Sequence, residues 1–256
     1  MAYTEHRSTA RILTILELLA NSEKGYTLSK LAELLDAPKG SIFPMLQTLK
    51  EFHFLKQDEQ TGIYRIGPAA FQVGMSFINS GDSLKYIEKI MDDVVDKCLE
   101  TTHFAVLDKG NVVYLLKKDS PQAIRMISSV GKTLPAYATG IGKALLIDYS
   151  IEDLHQIYPD GLIPMTDNTI TDFEELYNQL VSFKKDDISY EYEESNKDVQ
   201  CVAVAVRKGG RIIASVSVAI PIFRCSEEKI VEIRDILLEA KKILENYFVN
   251  ANVSFS

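Results

Sequence analysis

The sequence predicts an α+β protein with a helical N-terminal part and a larger C-terminal part of mixed strands and helices. Three apolar stripes at helical spacing lie within the first 51 residues, and strand-like runs alternate with helical stripes beyond about residue 82. Charge also divides the chain: residues 1–67 contain 8 basic and 8 acidic residues, and the remainder contains 20 and 28, which accounts for the net charge of −8. At 256 residues the chain is long enough for one large domain or two of ordinary size.

Composition excludes several classes of protein. No apolar run reaches the roughly 18 residues that cross a bilayer, and the N-terminus is polar where a signal peptide has an apolar core, so we expect a cytoplasmic protein without a membrane partner. The three cysteines, Cys98, Cys201 and Cys225, are far apart and form no CxxC pair. This pattern predicts reduced thiols, with neither a disulfide framework nor a structural metal site.

The N-terminal part begins with three short helices. The first is predicted from Ser8 to Ala20, and Thr27 is a good N-cap for the second, which stops at residues 36–38. The third repeats the helical spacing as far as Glu51, after a break of only a few residues. This arrangement is typical of a helix-turn-helix.

A hairpin and a further helix follow. Residues 54–57 and 63–66 flank a polar turn and predict a β-hairpin, which after a helix-turn-helix is a wing. Pro68 suits the first position of a linker helix with little polar face, which should be buried against something, a partner subunit being one candidate. Its apolar residues are Phe71, Val73, Met75, Phe77 and Ile78. The predicted divisions of the chain are residues 1–67, 68–81 and 82–256.

The C-terminal part alternates strands and helices. Strands are predicted at residues 103–107, 112–117, 123–128, 201–206 and 212–218. Helices are predicted at residues 143–147, 151–158 and 172–183, and a last helix opens at Ser226 and runs to about Phe248. A sheet with helices beside it suits a domain that binds a small molecule.

Two segments resemble the IclR-type bacterial transcriptional regulators, and the likeness extends over essentially the whole chain. The first comprises Thr27-Leu-Ser-Lys-Leu-Ala, Pro38-Lys-Gly-Ser-Ile, Leu46-Gln-Thr-Leu and Tyr64-Arg-Ile-Gly. The second is Gly131-Lys-Thr-Leu-Pro-Ala-Tyr-Ala-Thr-Gly-Ile-Gly-Lys-Ala-Leu-Leu, followed later by Glu193-Glu, Cys201-Val-Ala and Ser217-Val-Ala-Ile-Pro. The resemblance implies a winged-helix domain that binds operator DNA, a linker helix that helps the chain to dimerise, and a GAF-like effector domain that binds a small organic acid. It also implies a homodimer or homotetramer that acts as a repressor.

Candidate site residues follow from the helix-turn-helix pattern and from this resemblance. The DNA contacts are expected from the second and third helices and the wing: Thr27, Lys39, Gly40, Ser41, Ile42, Phe43, Gln47, Thr48, Lys50, Lys56 and Arg65. The resemblance places the effector site at Leu134, Gly140, Ile141, Glu191, Cys201, Ser217 and Ala219. Ala219 stands where the family often has a serine, and Glu191 where an aspartate can occur, so the effector of a relative does not transfer to this chain.

Pro44 departs from the family pattern, which usually has an arginine there on the recognition helix. Proline can neither read guanine nor clamp a phosphate, so DNA affinity should be weak and its salt dependence modest. Proline also lacks the N–H that an interior helical residue donates. We therefore expect Ser41 to be the N-cap and Pro44 to be the third helical residue, which shortens the helix at its start.

The glycines of Gly140-Ile-Gly-Lys143 invite comparison with phosphate-binding loops. A Walker loop needs glycine at Tyr137 and Ser or Thr at Ala144, and a dinucleotide fingerprint needs glycine at Leu145, so no ATP, NAD or other cofactor is expected. Two interpretations remain open. Either the glycines let the backbone approach a ligand while the N–H groups that open a helix at Gly142 receive a carboxylate, or they serve a tight turn.

Other reactive residues have ordinary interpretations. Cys201 begins a strand and is more often a small apolar group than a nucleophile, and His103 is the one histidine considered as its base. Glu191, Glu193 and Glu194 form an acidic stretch, more often a solvated loop than a metal site or a pair of catalytic carboxylates. No catalytic residue is therefore predicted.

Two hypotheses for function remain. The first is a ligand-responsive regulator whose effector domain changes the arrangement of two winged helices on operator DNA. The second is a small-molecule binder or enzyme that kept this architecture and lost operator recognition, which Pro44 and the neutral N-terminal part would favour. The resemblance over the whole chain favours the regulator.

Overall fold

The computed structural model describes residues 6–79, 82–126, 128–251 and 255. Contacts divide the chain into two units, with the boundary between Gly81 and Asp82. Within the described ranges, no helix has both the length and the apolar character needed to span a membrane.

The N-terminal unit confirms the predicted winged helix-turn-helix. Its helices are α1 (Arg7–Ala20), α2 (Leu28–Leu34), α3 (Lys39–Glu51) and α4 (Pro68–Asn79), and its strands are β1 (Tyr26–Thr27), β2 (Leu55–Gln57) and β3 (Ile63–Ile66). The strands form an antiparallel sheet in the order β1-β3-β2. The sequence did not predict β1, because two residues are too short for a periodic signal. Buried side chains from every layer form one core: Ile15, Leu19, Leu31, Ile42, Leu46, Leu49, Leu55 and Tyr64.

Helix α3 contradicts the expectation of a shortened start. It runs unbroken from Lys39 with Pro38 as N-cap, and Pro44 is its sixth residue. The Ser41 hydroxyl donates to the Pro38 carbonyl (2.8 Å) instead of capping the helix. Pro44 has no N–H to donate to the Gly40 carbonyl four residues earlier. Proline is tolerated here because Gly40 and Pro44 are both exposed, so water can donate to that carbonyl instead.

The linker helix α4 begins at Pro68 as predicted, and its Ala69 N–H donates to the His53 carbonyl (3.1 Å). Phe71 and Val73 are 69% and 59% exposed in the single chain. The side chains of Phe77 and Ile78, two further apolar residues of the predicted linker, lie outside the described part of the chain. Phe71 and Val73 are two positions apart and so lie on different sides of α4, and both are left largely uncovered by their own unit.

The C-terminal unit is a six-stranded antiparallel sheet with helices. The strands are β4 (Thr101–Asp108), β5 (Asn111–Lys118), β6 (Thr133–Pro135), β7 (Ile188–Tyr192), β8 (Val199–Lys208) and β9 (Arg211–Pro221), in the order β6-β5-β4-β9-β8-β7. The helices are α5 (Asp82–Cys98), α6 (Gly140–Leu146), α7 (Ile151–Ile157), α8 (Phe173–Phe183) and α9 (Glu227–Asn250). This architecture confirms the predicted α+β class.

Both faces of the sheet are covered. Helix α6 packs with Ala105, Ala203 and Ala205 in one apolar cluster. The alternate residues of β8, which include Val202 and Val204, point to the other face and are fully buried as well. Helices α5 and α9 pack against each other and against the sheet.

Several elements of this unit differ from the sequence expectations, among them strand β6, which was not predicted. Helix α5 and strand β7 were not predicted, and the strand expected at residues 123–128 is wrong, since residues 123–126 and 128 are irregular and residue 127 lies outside the described part. Side chains hold this segment instead of a strand partner: Arg224 donates to the Ile124 carbonyl (2.9 Å) and Lys117 to the Ser128 carbonyl (2.9 Å). The edge strand beside β5 is instead β6, in which Leu134 pairs with Val112.

Candidate functional site

The exposed face of α3 is the candidate DNA surface. Because Ile42, Leu46 and Leu49 are buried in the core, the opposite side of the helix faces solvent. The exposed residues of α3 outside the buried stripe include Lys39, Gly40, Phe43, Pro44 and Thr48. Phe43 is 47% exposed, and an exposed apolar ring on such a helix can contact a thymine methyl group.

Several candidate DNA residues have partners within the protein. The Thr27 hydroxyl accepts the Lys30 N–H (3.3 Å) as the N-cap of α2, and the Gln47 side chain hydrogen-bonds the buried Tyr64 hydroxyl. Lys50 Nζ donates to Gln57 Oε1 (3.3 Å).

The remaining candidates separate into buried and wing positions. Ile42 is fully buried, so only its backbone could face DNA. Lys56 and Arg65 lie opposite each other in the register of β2 and β3, which brings two positive charges together on the wing. The α3 face and the wing thus each present cations.

The sheet brings most of the candidate effector residues together. In the register, Glu191 pairs with Cys201 and Cys201 with Ala219, while Ser217 pairs with His103. Residues directly opposite each other project from the same face of a sheet, so these side chains share one face. All of them are buried, so this row lies inside the C-terminal unit and is not a surface patch.

Helix α6 begins directly on this row. A Cβ at Gly140 would lie 2.9 Å from the Cβ of Cys201 and 3.4 Å from that of Glu191, so glycine permits the approach. The next residue, Ile141, is buried in the core. Leu134 lies on β6, at the opposite edge of the sheet from Glu191, and packs against the same apolar cluster as Ile141.

The expected opening of a helix at Gly142 is wrong. Helix α6 starts two residues earlier, and the Gly142 N–H is already bonded to the hydroxyl of its N-cap, Thr139 (3.0 Å). A Cβ at Gly142 would overlap the Ala136 carbonyl. Gly142 therefore serves close packing, and its N–H is not available to a carboxylate.

A buried ion pair lies under this site, between Lys143 of α6 and Glu194 after β7. Lys143 is completely buried, and burial lowers its pKa although Glu194 opposes the shift. The Thr169 hydroxyl donates to the Glu194 carbonyl (2.6 Å) and fixes the loop. This pair was not predicted, although a lone lysine in the apolar segment Gly-Ile-Gly-Lys-Ala-Leu-Leu is a signal for a buried charge.

The expectation that Glu191 belongs to a solvated acidic loop is wrong, since its side chain is buried and the residue is only 2% exposed. Its Oε1 accepts the N–H groups of Glu194 (2.5 Å) and Ser195 (3.0 Å). Among the described residues its Oε2 has no hydrogen-bond partner. Burial raises the pKa of Glu191 to about 7.

The arrangement does not favour thiol chemistry. Burial, reinforced by the neighbouring Glu191, raises the pKa of the Cys201 thiol well above its usual value, whereas a nucleophile needs the thiolate. His103 Nε2 lies 2.7 Å from the Ser128 hydroxyl, and burial lowers the pKa of His103 to about 4. The histidine is therefore neutral near pH 7 and is engaged by Ser128.

Comparison with known proteins gives concordant matches. Residues 8–59 match the IclR helix-turn-helix domain, and residues 75–245 match the bacterial transcriptional regulator IclR C-terminal domain. The transcriptional repressor IclR of Escherichia coli is 28% identical over 92% of this chain and 88% of that protein.

Solved structures share the fold. A regulator of this type from Alicyclobacillus acidocaldarius superposes with a TM-score of 0.84 at 22% identity, covering 96% of this chain and 100% of the other. An IclR homologue from Microbacterium hydrocarbonoxydans, complexed with 4-hydroxybenzoate, gives a TM-score of 0.75 at 20% identity, covering 95% and 100%. Since the C-terminal family model alone matches more than half of the chain, this protein belongs to the IclR family of bacterial transcriptional regulators.

Proposed function

We propose that this regulator represses its target genes and releases or rearranges on DNA when a small organic acid binds. The exposed face of α3, which follows α2 in a helix-turn-helix and is joined to a wing, is the observation that carries the proposal. The E. coli relative is a repressor, and the Microbacterium homologue holds an aromatic acid, which support the two halves of the proposal. We assign residues 1–67 to DNA binding, 68–81 to the linker and 82–256 to effector binding.

The effector site is proposed to consist of the row on the sheet and the start of α6: Leu134, Gly140, Ile141, Glu191, Cys201, Ser217 and Ala219. The side chains of Cys201, Ser217 and Ala219 are small, which suits a compact ligand. The Ser217 hydroxyl is a strong donor, and hydroxyl donors bond well to carboxylates.

A genomic selection tests DNA binding. The purified protein is mixed with sheared genomic DNA, and the retained fragments are sequenced with and without competitor DNA. Enrichment of a palindromic site is expected, because a dimer presents two recognition helices. If no fragment is retained with or without organic acids present, the regulator proposal fails and a small-molecule binder remains.

Lys39→Ala is expected to weaken binding to a retained fragment by roughly three- to tenfold and to lower the salt slope by about one, since one phosphate contact is lost. Lys242→Ala, which removes the same charge from an exposed site on α9, is the matched control. Fluorescence anisotropy at several salt concentrations measures both. Equal affinities for the two variants would show that Lys39 does not touch DNA.

The side of α4 that carries Phe71 is proposed to pair with a second copy of the chain, which forms a homodimer or part of a homotetramer. Phe71→Asp is expected to raise the dimer dissociation constant at least tenfold, since burying such a ring stabilises an interface by roughly 1.5–3 kcal/mol. Analytical ultracentrifugation measures the change. Gln72→Glu, which adds a charge to the neighbouring exposed position, should leave the dimer intact.

We also infer that the protein catalyses no reaction of its own and acts in the cytoplasm, where bacterial DNA lies. The protonated Cys201 thiol and the neutral His103, bonded to Ser128, support the first inference. Turnover of a bound acid that Cys201→Ala abolishes would overturn it.

A further inference from the structure

The Glu191 carboxyl is held in place by one oxygen only. Its Oε1 accepts two backbone N–H groups, which orient the side chain, whereas the buried Oε2 has no donor in hydrogen-bonding geometry among the described residues. The Cys201 thiol, which is opposite Glu191 in the sheet, is a weak donor to the carboxyl group and partly opposes the rise of its pKa. A buried carboxylate oxygen without a donor is costly, because it has lost its hydration without gaining a replacement. Oε2 therefore needs either a proton or a donor from a ligand.

The charges around Glu191 do not neutralise it. The titratable groups that face it or lie on the adjoining elements are Cys201 of β8, Tyr114 of β5, His103 of β4, Lys143 of α6 and Glu194 of the following loop. The Lys143 ammonium is already paired with Glu194. The thiol and phenol are neutral, and burial lowers the pKa of His103, so it is neutral too. Within this group the charges of Lys143 and Glu194 cancel. An ionised Glu191 would therefore add one negative charge that no neighbouring cation balances.

An acid effector adds a second negative charge to the same enclosed site. Two carboxylates close together in a buried site cannot both stay ionised, and one proton shared between them replaces the repulsion by a hydrogen bond. We propose that the acid effector binds together with one proton, taken from solvent and held on Glu191 Oε2, which donates it to the effector carboxylate. This inference rests on the proposed acid effector and on Glu191 as part of its site.

The raised pKa of Glu191 places this coupling near neutral pH. Below about pH 7 the free protein already carries the proton, and the affinity for the acid does not change with pH. Above about pH 7 the carboxyl is ionised in the free protein, so binding takes up a proton and the affinity falls up to tenfold per pH unit. The regulator would respond more strongly to its effector when the cytoplasm is acidified.

Glu191→Gln separates the proton from the shape of the side chain. The amide oxygen can still accept the two backbone N–H groups, and the amide nitrogen donates permanently, as protonated Oε2 would. Glu193→Gln is the matched control, two residues away, where the side chain is half-buried and its Oε1 accepts the Asp198 N–H (2.8 Å).

The first measurement needs no ligand. Carbon-13 NMR of protein labelled at the glutamate carboxyl groups should show one resonance that titrates near pH 7, absent from Glu191→Gln and present in Glu193→Gln. A Glu191 resonance already ionised at about pH 5 would overturn the proposal.

The second measurement counts protons. Titration calorimetry of the full chain with acetate, pyruvate and 4-hydroxybenzoate, at about pH 8 in two buffers of different ionisation enthalpy, should show uptake of about one proton by the wild type and by Glu193→Gln. Glu191→Gln should take up none and should bind with an affinity independent of pH. Binding without proton uptake by the wild type would overturn the coupling and leave acid sensing intact. Failure of all three acids to bind would count against the proposed acid effector, while the NMR titration would still decide the protonation of Glu191.

Discussion

Replacing Pro44 by arginine is expected to tighten binding to random-sequence duplex DNA by about tenfold and to steepen its salt dependence by about one. Position 44 is exposed and lies one turn before Thr48 on the same side of α3. A guanidinium there would add a cation to the candidate DNA surface, and arginine pairs bidentately with phosphate or guanine. Fluorescence anisotropy over a range of salt concentrations measures both effects without knowledge of the operator.

Pro44→Ala is the control that separates charge from helix geometry. Alanine restores the N–H that can donate to the Gly40 carbonyl, so the N-terminal unit should become more stable by up to about 3 kcal/mol. The salt slope of DNA binding should stay at the wild-type value. If arginine and alanine variants bound DNA equally well, position 44 would not face the DNA.

Lys143→Met is expected to destabilise the C-terminal unit by about 3–5 kcal/mol, because it leaves Glu194 buried without its partner. Both side chains are withdrawn from water, with exposures of 0% and 6%. Scanning calorimetry should show a lower transition temperature for this unit and no change in the transition of the winged helix. An unchanged C-terminal transition would mean that Glu194 finds another partner or becomes protonated at little cost.

Two further variants define the origin of this loss. The double variant Lys143→Met with Glu194→Gln is expected to recover part of the stability, because no buried charge is then left without a partner. Lys197→Met breaks the ion pair with Asp167, whose side chains are 70% and 93% exposed, and should change stability by less than about 1 kcal/mol. A comparable loss from both single lysine variants would argue against burial as the cause.

Local patterns in the sequence predicted much of the fold. Thr27 was expected as an N-cap and Ser226 as the start of the last helix, and both hydroxyls cap their helices by accepting the N–H groups of Lys30 and Lys229 (3.3 Å and 3.2 Å). A cap, an apolar stripe or a turn involves residues within a few positions of one another, so spacing alone encodes it. The same signal is present in α5, where Ile87, Met91 and Val94 are buried at helical spacing, although this helix was not predicted.

The strand expected at residues 123–128 shows where local patterns are insufficient. The segment is β-prone, but Arg224 bonds the Ile124 carbonyl from 100 residues away, and His103 and Lys117 bond Ser128. Long-range side-chain partners thus took the place of a backbone ladder. No property of the segment itself could have indicated them.

The sequence by itself determined the winged helix-turn-helix, the mixed C-terminal unit and, through resemblance, the candidate effector residues. Only the tertiary structure decided that Pro44 lies inside a regular helix, that Lys143 meets Glu194 across 51 residues, and that Glu191 keeps one oxygen without a partner. The physical reason is the range of the interactions. Helix periodicity and capping act between near neighbours, whereas burial, charge pairing and desolvation depend on which distant segments the folded chain brings together.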